Sequence, residues 1–215
     1  MASTLHSASR TGNVNKILEL LKKGADVNAQ DEAHGQTALT YAAALGQMYA
    51  VKALLGNGAD PNLTNMVGYS PLMAAARNCR HRCAMLLIDA GAEVDATDDW
   101  GYTALMLAAN DGLPETVNML LEHGANVNAA ATGGYTSLMA ATINNSIPEN
   151  MVEEIVALLL SAGADVNATT EDGKSAATFA LERGHEQRIR LFHATEQTAA
   201  GTGSSGAGFP GRTRA

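Results

Sequence analysis

One short stretch of the chain carries side chains of the types that bind metal ions. In NCRHRC, residues 78–83, two thiols and an imidazole alternate at Cys79, His81 and Cys83. A structural zinc site needs four such ligands, and three crowded onto one turn lack the fourth. Two cysteines are also too few for the disulfide framework of a small secreted domain. We therefore interpret both as reduced thiols and expect no metal ion and no cofactor.

Three further stretches imitate catalytic or phosphate-binding loops. GTGSSG, residues 201–206, matches the dinucleotide pattern G-x-G-x-x-G, but that pattern functions only between a strand and a helix. It lies in residues 198–215, whose Gly/Ser-rich composition predicts a disordered tail. GKS, residues 173–175, resembles the end of a phosphate loop, but Ala168 occupies the place of its first glycine. GYSPL, residues 68–72, lacks the second glycine of a nucleophile elbow. We expect no enzyme.

Composition and charge exclude several other classes of protein. Of the 215 residues 46% are apolar, but aromatic residues make up only 4%, which suits thin helices in close contact. The formal charge of −8 argues against an extended phosphate-binding surface, so we expect no nucleic acid partner. The chain has no run of eighteen apolar residues and no apolar signal core at its start. We therefore expect a monomer in the cytoplasm or, alternatively, the nucleus, with no membrane partner.

A repeat organises the elements that position these residues. Four glycines are spaced 33 residues apart, and a fifth follows after 39: Gly35, Gly68, Gly101, Gly134 and Gly173. A second series has nearly the same period, in the phrases GADVN, GADPN, GAEVD, GANVN and GADVN that begin at Gly24, Gly58, Gly91, Gly124 and Gly163. A period of this size is typical of a solenoid, in which stacked units share one core.

Local chemistry predicts the structure of one unit. In DDWGYTALMLAA, residues 98–109, Thr103 follows the glycine by two residues and can cap the free amides of a starting helix. Leu105 and two alanines then share one face at helical spacing. Pro114 opens a second helix, and Gly124 ends it. Each unit is therefore a turn, a helix, a short loop, a helix and a long loop, and only stacking can bury its apolar faces.

These phrases resemble the ankyrin repeat. GYSPLMAAA, GYTALMLAA with LLEHGANVNA, and GQTALTYAA with LLGNGADPN follow its pattern G-x-T-P-L-H-x-A-A … L-L-x-x-G-A-D-V-N-A. The resemblance implies an all-α ankyrin-repeat solenoid of about six stacked helix-turn-helix units with long β-turn loops, over residues 1–197. We place the units at about 1–33, 34–66, 67–99, 100–132, 133–171 and 172–197.

The chain departs from the family pattern at several positions. The usual histidine of the first helix survives only as His6, whereas methionine recurs at Met73, Met106 and Met139, which predicts a core column. The fifth unit has six extra residues around INNSIPENMVEE. There Ser146 and Glu149 predict a capping box and an early start for the second helix. Basic residues in the last unit predict a polar, capping end to the stack: Arg188, Arg190 and His193.

The resemblance also implies the function, a non-catalytic protein–protein interaction module or adaptor. In this family the turn tips and the outer part of each first helix form a concave binding face. Carried over by position, that face has aromatic tips at Tyr69, Trp100, Tyr102 and Tyr135, with Met66, Val67 and His34 alongside. Its charged and polar residues are Asp98, Asp99, Arg77, Asn110 and Asp111. The acidic members favour a partner protein with a basic or extended segment.

Several alternatives remain open for the same residues. Stacked helices lie roughly 8–10 Å apart, too far for successive tyrosines to stack on one another. They either contact a partner singly or merely cover the neighbouring turn. Trp100 with Asp98, Asp99 and nearby tyrosines is compatible with an aromatic cage for methyl-lysine, or with a platform for a nucleotide-like ligand. The basic run Arg77, Arg80, His81 and Arg82 is either a solvated loop or a docking patch for an acidic groove.

Overall fold

The computed structural model describes residues 4–192 and confirms the predicted stack of helix pairs. The described residues contain no β-strand. The tail expected at 198–215 and His193 lie outside them. The helices are α1 (Leu5–Arg10), α2 (Val14–Lys22), α3 (Ala38–Ala44), α4 (Met48–Leu55), α5 (Pro71–Arg77), α6 (His81–Asp89), α7 (Ala104–Asn110), α8 (Pro114–Glu122), α9 (Ser137–Ile143), α10 (Glu149–Ser161), α11 (Ala176–Glu182) and α12, which runs from 186 to the last described residue.

A hydroxyl group starts the first helix of each inner unit, as predicted. Thr103 has an extended backbone, and its Oγ1 accepts from the amide of Met106 at 3.3 Å. This bond satisfies one of the amides that the first turn of a helix leaves without a partner. The same bond starts α3, α5, α9 and α11, from Thr37, Ser70, Thr136 and Ser175.

The core lies between successive helix pairs, because each first helix packs against the first helix of the next unit. Leu105 and Ala108 are buried on α7, and their counterparts are buried on the neighbouring helices. Alanine at these positions lets the helix backbones approach closely. The methionine column Met73, Met106 and Met139 is also fully buried, which confirms the prediction of a core column.

At the turns, the units approach one another through their backbones. The amide of Thr132 donates to the Trp100 carbonyl at 2.9 Å, and the amide of Asp99 donates to the Val67 carbonyl at 3.1 Å. The same bond joins Met66 to His34 and Glu171 to Gly133. Gly101 lies at this approach with φ +81°, and a Cβ atom there would be 3.0 Å from the Thr132 nitrogen. Glycine is therefore required at this position, both because φ is positive and because a Cβ atom would be too close to the backbone of the next turn.

Asparagine side chains join the units along the opposite edge. The Oδ1 of Asn62 accepts from the amide of Glu93 at 2.8 Å, and its Nδ2 donates to the Gly91 carbonyl at 3.0 Å. Asn28 and Asn128 make the same pair of bonds to the unit that follows each of them. The long loops are thus held by side-chain amides, whereas the turns are held by the backbone.

The insertion of the fifth unit lengthens its second helix, as predicted, but the predicted capping box is wrong. Helix α10 has 13 residues, whereas α8 has 9. Pro148 occupies the N-cap, where no side chain caps the helix, and the Ser146 amide instead donates to Asn144 Oδ1. The carboxylate of Glu149 binds Arg188 instead of capping the helix.

The prediction of an exposed polar end to the stack is wrong for Arg188. Its side chain is 1% exposed, and its Nε and Nη2 donate to the two carboxylate oxygens of Glu149, each at 3.0 Å. Its Nη1 donates to the Thr142 carbonyl at 2.6 Å. Arg190 is exposed, as expected. The guanidinium therefore joins α12 to the inserted segment of the fifth unit. It is buried because α12 packs on that segment.

The close approach of the turns predicts unequal costs for two glycine substitutions. Gly101→Ala and Gly124→Ala both place alanine at a left-handed φ, +81° and +83°, which costs roughly 1–2 kcal/mol. A Cβ at Gly124 meets nothing within 4 Å, whereas one at Gly101 meets backbone, so we expect Gly101→Ala to cost ~1–3 kcal/mol more. Urea unfolding followed by circular dichroism measures both, and equal losses would contradict the close approach.

The buried guanidinium predicts a second pair of outcomes. Arg188→Ala leaves the carboxylate of Glu149 without its partner, so we expect a loss of about 3 kcal/mol of unfolding free energy. Arg190→Ala removes an exposed arginine two residues later in α12 and should stay within ~0.5 kcal/mol. Thermal unfolding of both variants measures the difference. Indistinguishable melting temperatures would refute this role of Arg188.

Candidate partner-binding surface

The turns and the first helices together form one face of the stack, which we call the inner surface. It carries the turn residues that follow each repeat glycine and the residues at the ends of α5, α7, α9 and α11. The residues that the sequence assigns to partner binding lie on the turns, on these helices or, for Asp111, at the C-cap of α7. We call the half-buried tyrosines and the residues at the helix ends the floor of this surface. We call the exposed residues at the turn tips its rim.

The three tyrosines belong to the floor, so the prediction that they stand at exposed tips is wrong. The Tyr69 hydroxyl donates to the Met73 carbonyl in α5 at 3.2 Å, and the Tyr135 ring stacks on Phe179 of α11 with centroids 5.7 Å apart. Tyr102 is half-buried between them. The Tyr69 and Tyr135 rings pack against the core because contact there removes apolar surface from water. Within residues 4–192 no ring contact joins the three tyrosines to one another, in agreement with the predicted spacing.

Polar bonds across three units order the centre of the floor. Arg77 Nε donates to Asp111 Oδ2 at 2.7 Å, and Asn110 Nδ2 donates to Asp111 Oδ1 at 3.0 Å. Asn144, in the next unit, donates to the Asn110 carbonyl at 2.7 Å. The hydrogen bond to Asp111 raises the pKa of Arg77 above its usual value. Asp111 therefore offsets the charge of Arg77 and adds little net negative charge to the surface.

Two hollows open beside this polar centre. The first, about 410 Å³, is lined by Tyr69, Arg77, Asn78 and Asp111. Burial raises the pKa of the Tyr69 phenol, and Arg77 opposes that change, so the hydroxyl remains a hydrogen-bond donor at neutral pH. The second hollow, about 230 Å³, is lined mainly by Tyr102, Asn110, Tyr135, Ile143, Phe179 and Arg183.

Sequence reasoning missed Phe179, Arg183 and Ile143 in the second hollow. Phe179 occupies the position that Leu107 and Ala140 have in earlier units, counted from the helix start. Because the pattern of a repeat is read from its most frequent residue, a single aromatic in the last unit gives a weak signal. Its stacking on Tyr135 becomes visible only when the two units are placed side by side.

The rim consists of apolar and acidic tips. Trp100 is 55% exposed and Met66 64% exposed, and Asp99 and His34 are also exposed. Val67, which lies between Met66 and Gly68, is less exposed than Met66. Trp100 is therefore the predicted aromatic that does stand at a tip.

Asp98 holds the turn rather than presenting its full carboxylate to a partner. Its Oδ1 accepts from the amides of Trp100 and Tyr102 at 3.0 and 2.8 Å. Asn65 bonds the preceding turn in the same way, with the amides of Val67 and Tyr69. An uncharged asparagine therefore performs the same task, which shows that the turn needs the oxygen and not the charge. The free acid next to Trp100 is Asp99.

The geometry does not support an aromatic cage around Trp100. Its ring makes no ring contact with another aromatic side chain in residues 4–192. A cage needs ring faces within about 6 Å of one cation, and the Tyr69 hydroxyl is instead bonded to the Met73 carbonyl in α5. The tip also offers carboxylates and no lysine beside Trp100, which disfavours a nucleotide phosphate there.

A second polar cluster, which the sequence did not predict, lies at the start of the stack. The Tyr41 hydroxyl donates to Asp31 Oδ2 at 2.7 Å, and this bond raises the pKa of the phenol. The Arg10 guanidinium lies 5.2 Å from the centroid of the Tyr41 ring. Nε2 of His6 lies 3.0 Å from the Ala29 carbonyl oxygen, so this histidine joins α1 to the long loop that follows α2.

Comparison with known families decides the classification. A family model described as "Ankyrin repeats (3 copies)" matches residues 5–98, 51–131 and 72–170, and a model described as "Ankyrin repeats (many copies)" matches residues 149–193. The chain belongs to the ankyrin repeat family. Ankyrin repeats are generally protein–protein interaction modules, and the matches include the turns and helices of the inner surface.

Among solved structures, the ankyrin chain is similar to an ankyrin repeat domain from Acinetobacter baumannii. The TM-score is 0.80 with 32% sequence identity, over 89% of this chain and 97% of that one. In residues 4–192 the longest helix has 13 residues and therefore cannot cross a bilayer.

Curated relatives match over a short ankyrin segment. A transient receptor potential cation channel subfamily A member 1 homolog of Caenorhabditis elegans is 45% identical over 78 residues, which is 36% of this chain and 6% of the relative. The ARF GTPase-activating protein GIT2 of Mus musculus is 35% identical over 89 residues, 41% of this chain and 13% of the relative. This chain thus spans a small fraction of the length of these relatives.

Proposed function

We propose that this ankyrin chain is a non-catalytic adaptor that binds an extended segment of another protein along its inner surface. The observation that carries the proposal is the pair of adjoining hollows at Tyr69 and Tyr102, joined by the contact between Asn110 and Asp111. Both hollows are lined by half-buried aromatic rings with fixed polar groups beside them. Concave sites that place a few polar groups beside aromatic side chains are typical of recognition sites.

The charge of the surface indicates the chemistry of the partner. Exposed acids stand at the turn tips, at Glu32, Asp99 and Glu171. On the floor, Arg77 is paired with Asp111. Basic side chains of an extended segment fit the rim, whereas its apolar side chains fit the hollows. An extended segment advances about 3.3 Å per residue, so every third residue reaches a new unit when the units lie roughly 8–10 Å apart.

Preorganisation favours binding at these rings. Tyr69 is held by its bond to the Met73 carbonyl, and Tyr135 is held by stacking on Phe179. Side chains that are already ordered lose little conformational entropy when a partner binds. Trp100 adds an exposed aromatic of the type that often carries interface energy. Cys79 and Cys83 are both free, which is the state that a reducing cytoplasm favours.

A phage-displayed library of random linear peptides, selected against the wild-type chain, tests this function. Among the selected peptides, we expect those that compete for the inner surface to be enriched in lysine or arginine. Trp100→Ala and Tyr102→Ala should each weaken them about tenfold or more, the effect of 1.4 kcal/mol. Tyr49→Ala removes an exposed tyrosine from α4, outside the inner surface, and serves as the matched control. Fluorescence anisotropy of synthesised peptides measures each affinity.

Two controls make the outcome interpretable. Circular dichroism melts should show that Trp100→Ala stays within ~0.5 kcal/mol of wild type, as for exposed positions generally, whereas Leu105→Ala in the core should cost about 2–5 kcal/mol. Lysine- or arginine-rich peptides that bind the Trp100 and Tyr102 variants as tightly as wild type would overturn the proposal. Acidic peptides whose binding is weakened by Trp100→Ala would overturn its electrostatic part.

A further inference from the structure

A third hollow, about 460 Å³, lies at the short loops between the two helices of a unit, away from the turns. It spans the first three units. We call it the loop groove and define it by Gly46, Tyr49, Cys79, Arg80, His81 and Arg82. None of these residues lines the hollows of the inner surface.

The loop groove concentrates positive charge on a chain whose formal charge is −8. Within residues 4–192, Arg80 and Arg82 have no carboxylate in ion-pair contact, whereas Arg77 and Arg188 each have one. The stem of Arg80 packs on Gly46, where a Cβ atom would lie 2.8 Å from Arg80 Cδ. This packing holds one guanidinium in place across the boundary between two units.

The start of α6 adds backbone donors to the same place. Arg80 occupies the N-cap without a side-chain bond, and the amides of His81 and Arg82 have no acceptor in the described part of the chain. By contrast, Asn13 caps α2 with a bond of 3.0 Å to the amide of Lys16. Free first-turn amides and the helix dipole both favour a carboxylate at this point.

Tyr49 provides an apolar contact at the edge of the groove. Its side chain is 70% exposed, although it lies beside half-buried Met48 on α4. Exposed tyrosine next to arginine is the combination that carries binding energy in protein interfaces. The groove therefore offers a charged part and an apolar part side by side.

We propose that the loop groove docks an acidic linear segment of a second partner protein. Carboxylates of that segment pair with Arg80 and Arg82 and accept from the first-turn amides of α6, while an apolar side chain covers Tyr49. Charge complementarity selects this occupant, since the groove is basic where the rim of the inner surface is acidic. Because the two surfaces lie on different elements, the chain holds both partners at once.

A fluorescein-labelled peptide of alternating glutamate and leucine, followed by fluorescence anisotropy, tests this inference. We expect Arg82→Glu to weaken binding about tenfold or more, and Tyr49→Ala to weaken it severalfold. Lys52→Glu makes the same change of charge on an exposed residue of α4 outside the groove and should change the affinity less than about twofold. A peptide with glutamine in place of glutamate should not bind.

Cys79 locates the bound peptide. It is exposed in the groove, whereas Cys83 is buried and its burial raises its pKa, so N-ethylmaleimide should react with Cys79 first. Saturating acidic peptide should slow that reaction severalfold, and the glutamine peptide should not. The proposal fails if the acidic peptide does not bind, if Lys52→Glu weakens it as much as Arg82→Glu, or if Cys79 stays equally reactive. Displacement of the peptide by inorganic phosphate at matched ionic strength would indicate a simple anion site and would also overturn it.

Discussion

Successive turns of this chain lie close enough for the amide of one turn to donate to a carbonyl of the turn before it. The bond joins Thr132 to Trp100, and it recurs at the other inner boundaries. No side chain fits between backbones at that distance, so glycine recurs at the position that faces the bond. The period of the sequence is thus the period of this contact. Helix packing then follows, because units held at one spacing bring equivalent leucines, alanines and methionines together.

That constraint separates the residues that build the stack from those that are free to vary. Positions that face a neighbouring unit are small or apolar, whereas residues beside the glycine and at the helix ends meet solvent on one side. In this chain the free positions carry tyrosines over an Arg77–Asp111 pair on the inner surface. At the short loops they carry Arg80 and Arg82, which have no ion pair within residues 4–192. Two surfaces of opposite charge on one stack are the physical basis of the adaptor role that we propose.

Much of the scaffold is predictable because its causes are local. The cap at Thr103 and the glycine dihedral angles follow from neighbouring residues, and the methionine column follows from the repeat. The errors arise where contacts join distant residues. An arginine in the last unit is expected to be exposed. Arg188 is buried instead, because it binds Glu149, which lies 39 residues earlier in the sequence. Sequence reasoning assigns the tyrosines to exposed tips because a repeat pattern indicates where a Cα atom lies and not which way the ring points.

Amide hydrogen exchange measured residue by residue by NMR tests the contact between turns most directly. Met66, Asp99, Thr132 and Glu171 all lie in exposed turns, but their amides donate to the preceding turn. The amides of Glu32 and Asp172, in equally exposed turns, donate to no acceptor among the described residues. The account predicts exchange slower by about tenfold or more at the four bonded amides, because they exchange only when neighbouring units separate. Exchange as fast as at Glu32 and Asp172 would contradict it.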